Sequence, residues 1–284
     1  MIRLAKTIIR AGLEKPVRIL HIADTHLSLA DDRDNERKRG LAIKRKKAFS
    51  DENGSVEKYL EEQIAYGAEH CELLVHTGDL IDFVSEANID KAGQVLSDPR
   101  ILFIAGNHEY SQYVGEAWED HAYRMNAYMH IRRRFGVDLL YSSRVIGGLN
   151  IVALDNGYYQ FEDWYLDRLE QEVQKGLPIL LALHCPLFEE SLFHEIMDIR
   201  KESSAGLVGC DEEHLMRYKE YRQIQQRAND TTRRVSEYIF RQKNIIAIIA
   251  GHIHFPFESA LPCGKMQYVT GGGFRGEARE LTVV

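Results

Sequence analysis

The feature that most constrains this chain is a series of short apolar runs, rich in β-branched residues, most of which end on side chains able to bind a metal. Segments 17–22, 73–76, 101–104, 151–154, 179–183 and 245–250 are bounded by glycine, proline or polar residues. Their length and composition favour buried strands over helices. Between most of them lie longer segments of helical period, 57–69, 116–135, 162–175 and 215–242. Strands alternating with helices predict a layered, mainly parallel α/β architecture. Near the ends, 7–10, 266–270 and 280–283 read as further strands, so a second, partly antiparallel sheet is expected. A length of 284 residues suits one domain, 1–284. The charge run 31–47 and the irregular stretch 189–211 are read as parts of rim insertions near 31–58 and 186–243.

Five strand ends carry the chemistry. The first runs into Ala23-Asp24-Thr25-His26, the second into Thr77-Gly78-Asp79, the third into Ala105-Gly106-Asn107-His108-Glu109. The fourth ends at His184, and the last at Gly251-His252-Ile253-His254. Loops at the carboxyl ends of strands are where open α/β sheets gather functional groups. Aspartate, histidine and asparagine together offer hard carboxylate, borderline imidazole and neutral carbonyl donors, a mixture suited to Mn, Fe or Zn rather than Ca. On extended chain, the first and third residues of Asp24-Thr25-His26 or His252-Ile253-His254 would point to the same side and reach one metal. Glycine beside a ligand permits the close backbone approach such a site needs.

This ordered set, DxH, GDxxD, GNH[DE], H and GHxH, resembles the signature of the calcineurin-like metallophosphoesterase superfamily across nearly the whole chain. The resemblance implies a four-layer α-β-β-α sandwich of two mixed sheets, with two divalent metal ions at the strand ends. It implies that Asp24, His26, Asp79 and His254 hold one ion, while Asp79, Asn107, His184 and His252 hold the other, with Asp79 bridging. His108 would face the substrate phosphate as the general acid, and a hydroxide bridging the metals would attack the ester. Glu109 and Asp82 are expected beside the metal set rather than in it. Purple acid phosphatases, a branch of the superfamily, carry a tyrosine ligand where Asp82 stands, so an iron–tyrosinate site is not expected.

A net charge of −7 supplies no general attraction for a polyanion and disfavours long nucleic acid as a partner. The four cysteines are scattered without a CxxC pair, and no stretch of about 20 apolar residues suggests a membrane span. Nor does the start of the chain show the apolar core of a signal peptide. A cytoplasmic enzyme acting on a small phosphomonoester, phosphodiester or nucleotide is therefore expected. The alternatives are a nuclease of the same superfamily and a catalytically silent scaffold, the latter at odds with the complete ligand set. His21 and His76 lie outside the motifs and read as packing or hydrogen-bonding residues. Cys185 reads as a small buried neighbour of a ligand. Arg132-Arg133-Arg134 and the basic run 37–47 read as solvated helix faces. Residues 186–244, too long for a simple crossover, could form a lid or specificity wall as readily as a surface loop.

Overall fold

The computed structural model describes residues 2–115 and 121–284. Strands β1 (Arg3–Ile9) and β2 (Val17–Ile22) precede helices α1 (Glu36–Phe49) and α2 (Val56–His70). Then come β3 (Leu73–His76), α3 (Glu86–Leu96), β4 (Ile101–Phe103) and α4 (His121–Phe135). The chain continues through β5 (Tyr141–Ile146), β6 (Leu149–Leu154), α5 (Trp164–Gln174), β7 (Ile179–Leu183) and α6 (Glu190–His194). It closes with α7 (Glu212–Leu215), α8 (Glu220–Gln226), α9 (Asp230–Arg241), β8 (Ile245–Ala250), β9 (Phe257–Ala260), β10 (Met266–Val269) and β11 (Glu277–Val283).

The strands form two mixed sheets, ordered β1-β11-β2-β3-β4 and β5-β6-β7-β8-β10-β9. In the first, β2, β3 and β4 are parallel and β11 runs against β2. In the second, β6, β7, β8 and β10 are parallel, edged by antiparallel β5 and β9. Alternation along the strands sends one set of side chains between the sheets, where Ile19, Val75 and Leu102 meet Ile151, Leu180 and Ile249. The opposite faces bury against helices. Leu20, Leu74 and Phe103 pack under Leu60, Ile89 and Ile131, while Leu154, Leu181 and Ile248 pack under Tyr165, Leu169, Val235 and Ile239. These are the four layers α-β-β-α expected above.

The expected helix over 215–242 is in fact three pieces. Lys219 and Arg227 adopt extended backbone, and Asn229 opens α9 as an N-cap by accepting from the Thr232 amide at 2.7 Å. Residues 116–120 of the expected helix 116–135 lie outside the described residues. The stretch 189–211 lacks a single periodicity because a five-residue helix passes straight into a π turn, Glu195–Ile199. With α7 it nonetheless builds its own core, in which Leu192, Phe193, Ile196, Leu207 and Tyr218 pack beneath Ala250 and Val269.

Candidate active site

The carboxyl ends of β2, β3 and β4 in one sheet and β7 and β8 in the other converge on one place. Hydrogen bonds between loops hold them there: the Asp24 amide donates to the Gly78 carbonyl at 3.0 Å, the His26 amide to Asp79 at 2.9 Å, and the Gly251 amide to His184 at 3.0 Å. The loops pay for this in backbone strain. Asp24, His26, Asp79, His252 and His254 all have positive φ, between 54° and 73°. Left-handed backbone at non-glycine residues costs about 1–3 kcal/mol each and persists where surrounding structure imposes it, commonly at functional sites. The extended geometry expected for the two triplets is therefore corrected. In particular, His252 and His254 diverge: His252 Nδ1 lies 3.2 Å from His184 Nε2, whereas His254 Nε2 lies 3.0 Å from His26 Nε2.

All seven candidate ligands are brought together. Donor atoms of Asp24, His26, Asp79 and His254 lie within 4.8 Å of one another. On the other side, His184 Nε2 is 3.4 Å from Asp79 Oδ2 and 3.1 Å from Asn107 Oδ1. Asp79 thus stands between the two groups. His184 Nδ1 donates to the Thr77 carbonyl at 2.7 Å and His26 Nδ1 to Asp82 at 3.1 Å, which turns the Nε2 atom of each ring inward. A neutral His184 so bonded aims a lone pair at the Asn107 carbonyl oxygen, a contact that only a proton or a metal ion between them satisfies.

Charge tells the same story. Burial, with Asp79 alongside, pushes the Asp24 carboxyl up to about 8 against the pull of His184. Burial opposes protonation of His184 and His108, yet Asp79 overcomes it and pushes them up to about 9 and 10. Two buried carboxylates side by side demand compensating positive charge, and the hard and borderline donor set around them fits divalent cations.

His108 donates from its backbone amide to Asp79 Oδ1 at 2.8 Å and from Nδ1 to the Asp82 carbonyl at 2.7 Å. Its Nε2 is left for the cleft. Glu109 is fully buried and accepts from the amides of Asp79, Leu80, Ile81 and Gly106 at 2.7–3.1 Å, so it pins the loop after β3 to the loop after β4.

The family model for calcineurin-like phosphoesterases matches residues 17–256. The chain belongs to that family. Among solved structures, a dimetal phosphatase from Danio rerio superposes on this phosphoesterase-family chain with a TM-score of 0.48 and 13% identity, covering 91% of this chain and 88% of that one. A phosphopantetheinyl hydrolase from Mycobacterium tuberculosis gives 0.41 and 13%, covering 94% and 91%. A 5'-nucleotidase from Candida albicans gives 0.40 and 14%, covering 91% and 45%. No curated protein matches the chain.

Asp82, expected beside the metal set, is anchored by a residue of this calcineurin-like phosphoesterase fold that carried no motif, Arg45. Asp82 is buried and accepts from His26, while Arg45 on α1 grips it through Nε at 2.6 Å and Nη2 at 2.9 Å. Burial works against the Asp82 charge, but hydrogen bonds from His108, His26 and Arg45 outweigh it and hold the carboxyl well below its ordinary range. The basic run 37–47 is thus not merely a solvated face. A sixth strand end, Asp155-Asn156-Gly157 after β6, also reaches the site. Asn156 accepts from the His184 and Cys185 amides at 3.0 and 2.9 Å, and Gly157 packs so closely on Gly106 that a Cβ would collide with its backbone. An Asp-Asn-Gly turn directly after an apolar strand was the available signal.

His76 and His21 hydrogen-bond Thr25 at 3.0 Å and Thr77 at 2.8 Å. Cys185 Sγ lies near His184 and His252, and burial pushes its thiol well up. Arg134 ties α4 to Glu86 and Asp90 of α3. Above the metal-type cluster opens a cleft of about 860 Å³, floored by Asp79, Asn107, His108, His252 and His254. The segment after β7 forms one wall, with Gly206 against the His252 ring, whose basicity is depressed by burial, then by His184 and His108, and least by the charge of Arg222 on that wall.

Proposed function

We propose that this chain is a metal-dependent hydrolase of a small phosphomonoester or phosphodiester, nucleotides included, working on two divalent ions of the Mn, Fe or Zn type. The observation that carries this reading is the meeting of all seven ligand-type side chains beneath one cleft, with His108 at its edge. Asp24, His26, Asp79 and His254 would hold one ion, and Asp79, Asn107, His184 and His252 the other. Such a pair, when bound, lowers the pKa of a water and neutralises the oxygens of the phosphate it attacks. His108, with Nδ1 committed to Asp82, presents Nε2 to the leaving oxygen. As water attacks phosphorus and the ester P–O bond breaks, that nitrogen gives its proton to the departing oxygen, and alcohol and phosphate result. Asp82 and Glu109 act beside the ligands, one orienting His26 and His108, the other fixing the loops.

We read residues 1–284 as one domain with rim insertions near 31–58 and 186–243. No described helix is long and apolar enough to cross a membrane, and the four cysteines are free, in keeping with a reducing cytoplasm. The test is hydrolysis of bis-p-nitrophenyl phosphate and p-nitrophenyl phosphate by metal-stripped protein, with Mn²⁺, Fe²⁺ or Zn²⁺ restored singly. Metal-restored turnover that Asp79→Asn abolishes is expected. Metal binding without turnover of either ester would shift the reading to a scaffold.

A further inference from the structure

The cleft is far larger than one phosphate requires. Its volume of about 860 Å³ lies within the range of sites that enclose whole small molecules, roughly 300–1,000 Å³. The wall on the His252 side holds Arg222, which has no carboxylate partner among the described residues and lies 5.2 Å from the Tyr221 ring centroid. Its Nη1 donates to Gln225 Oε1 at 2.5 Å, and Nε is shielded from water without an acceptor. Arg200, which lines the same cleft, is paired with Glu195, and elsewhere Arg45 is paired with Asp82, Arg124 with Asp155 and Arg217 with Asp198. Arginine cannot shed its charge, so a guanidinium that lines a cleft without a carboxylate partner is available to an anion bound there. On the His254 side, Arg275 also lines the cleft, without an ion pair among the described residues, over Phe274, whose ring meets His254 at 5.3 Å.

We infer that Arg222 binds a second phosphate group of the substrate, on the His252 side of the cleft, so that the preferred ligands carry one phosphate at the metal cluster and another beyond it. This rests on the hydrolase reading for the first phosphate only. The guanidinium fork suits a phosphate held by two parallel hydrogen bonds, and the insertion that carries it makes the preference a property of this chain's own wall.

The test is calorimetric binding of adenosine 3',5'-bisphosphate and adenosine 5'-monophosphate to Mn²⁺-loaded protein in the His108→Ala background, where turnover is slowed. The bisphosphate is expected to bind about tenfold tighter or more. Adding Arg222→Met should erase that advantage and Arg222→Lys restore part of it. Arg233→Met, on the exposed face of α9, should leave it intact. Equal affinities in the parent protein, or an advantage that survives Arg222→Met, overturn the subsite. So does an advantage lost in Arg275→Met instead, which would put the second phosphate at the other end. An advantage lost with Arg222→Met, in a protein that hydrolyses no ester, would leave the subsite standing and remove the hydrolase reading.

Discussion

His108 serves the site twice, with its amide on Asp79 Oδ1 and its ring on Asp82. Removing the ring leaves the amide contact in place, so His108→Ala should keep its metal content while turnover falls by about 10²–10⁴-fold. The loss should be largest on an alkyl phosphate, whose leaving oxygen needs a proton most. Equal rates for wild type and variant on such an ester would remove the general-acid role. Arg45 makes a different case, because it touches no ligand. It supplies two charge-assisted hydrogen bonds to a carboxylate with no solvent exposure. Deleting one side of such a pair strands the other, discounted here because the Arg45 side chain is 23% exposed. Arg45→Met should destabilise the protein by about 2 kcal/mol in urea titration. It should also lower turnover more than substrate affinity, since both His26 and His108 lean on Asp82. An unchanged urea midpoint would show that Asp82 does not need the arginine.

At the level of elements, the site is a set of strand ends pressed together until side chains no longer fit between them. A Cβ on Gly106 would strike the Asp79 carboxylate and come within 2.5 Å of the His184 ring. Gly106→Ala should therefore displace the bridging position and weaken metal binding measured by calorimetry, with β4 itself intact by circular dichroism. Full metal affinity in that variant would mean the loops have slack the packing does not suggest. The same crowding explains what could be read from the sequence. Strands β7 and β8 are apolar on both faces because both faces are covered, so they stand out as uninterrupted runs, while β2 and β3 are broken only by Arg18, His21 and His76. Their ends stand out because ligand chemistry requires particular side chains. Asn156 binds backbone groups with its side chain and was marked only by the Asp-Asn-Gly turn after β6, and Arg45 sits among other cations on a helix whose only buried residue is Ala42, so neither carries a ligand signature. The left-handed backbone of Asp24 and His254 was equally hidden, since it is imposed by loops distant in sequence.

Across the whole molecule, the candidate ligands are divided between two sheets. Asp24, His26, Asp79 and Asn107 follow strands of the first, while His184, His252 and His254 follow strands of the second. The sheets are joined by the apolar layer of Ile19, Val75, Ile151 and Ile249, by loop contacts such as His184 Nδ1 to the Thr77 carbonyl, and by Arg279 of β11, which bonds Glu258 and the Val269 carbonyl. Ions held by ligands from both sheets would add a further clamp, whose binding energy is also folding energy. At free metal one hundred times its Kd, each ion contributes about 2.7 kcal/mol, and two together should raise Tm by roughly 10 °C. Chelation should reverse the rise. Asp79→Asn should flatten the dependence on Mn²⁺, because that carboxylate stands between both ligand groups. A Tm identical with and without Mn²⁺ would mean that the ligands do not hold ions across the sheet interface, and the two-ion assignment would fall with it.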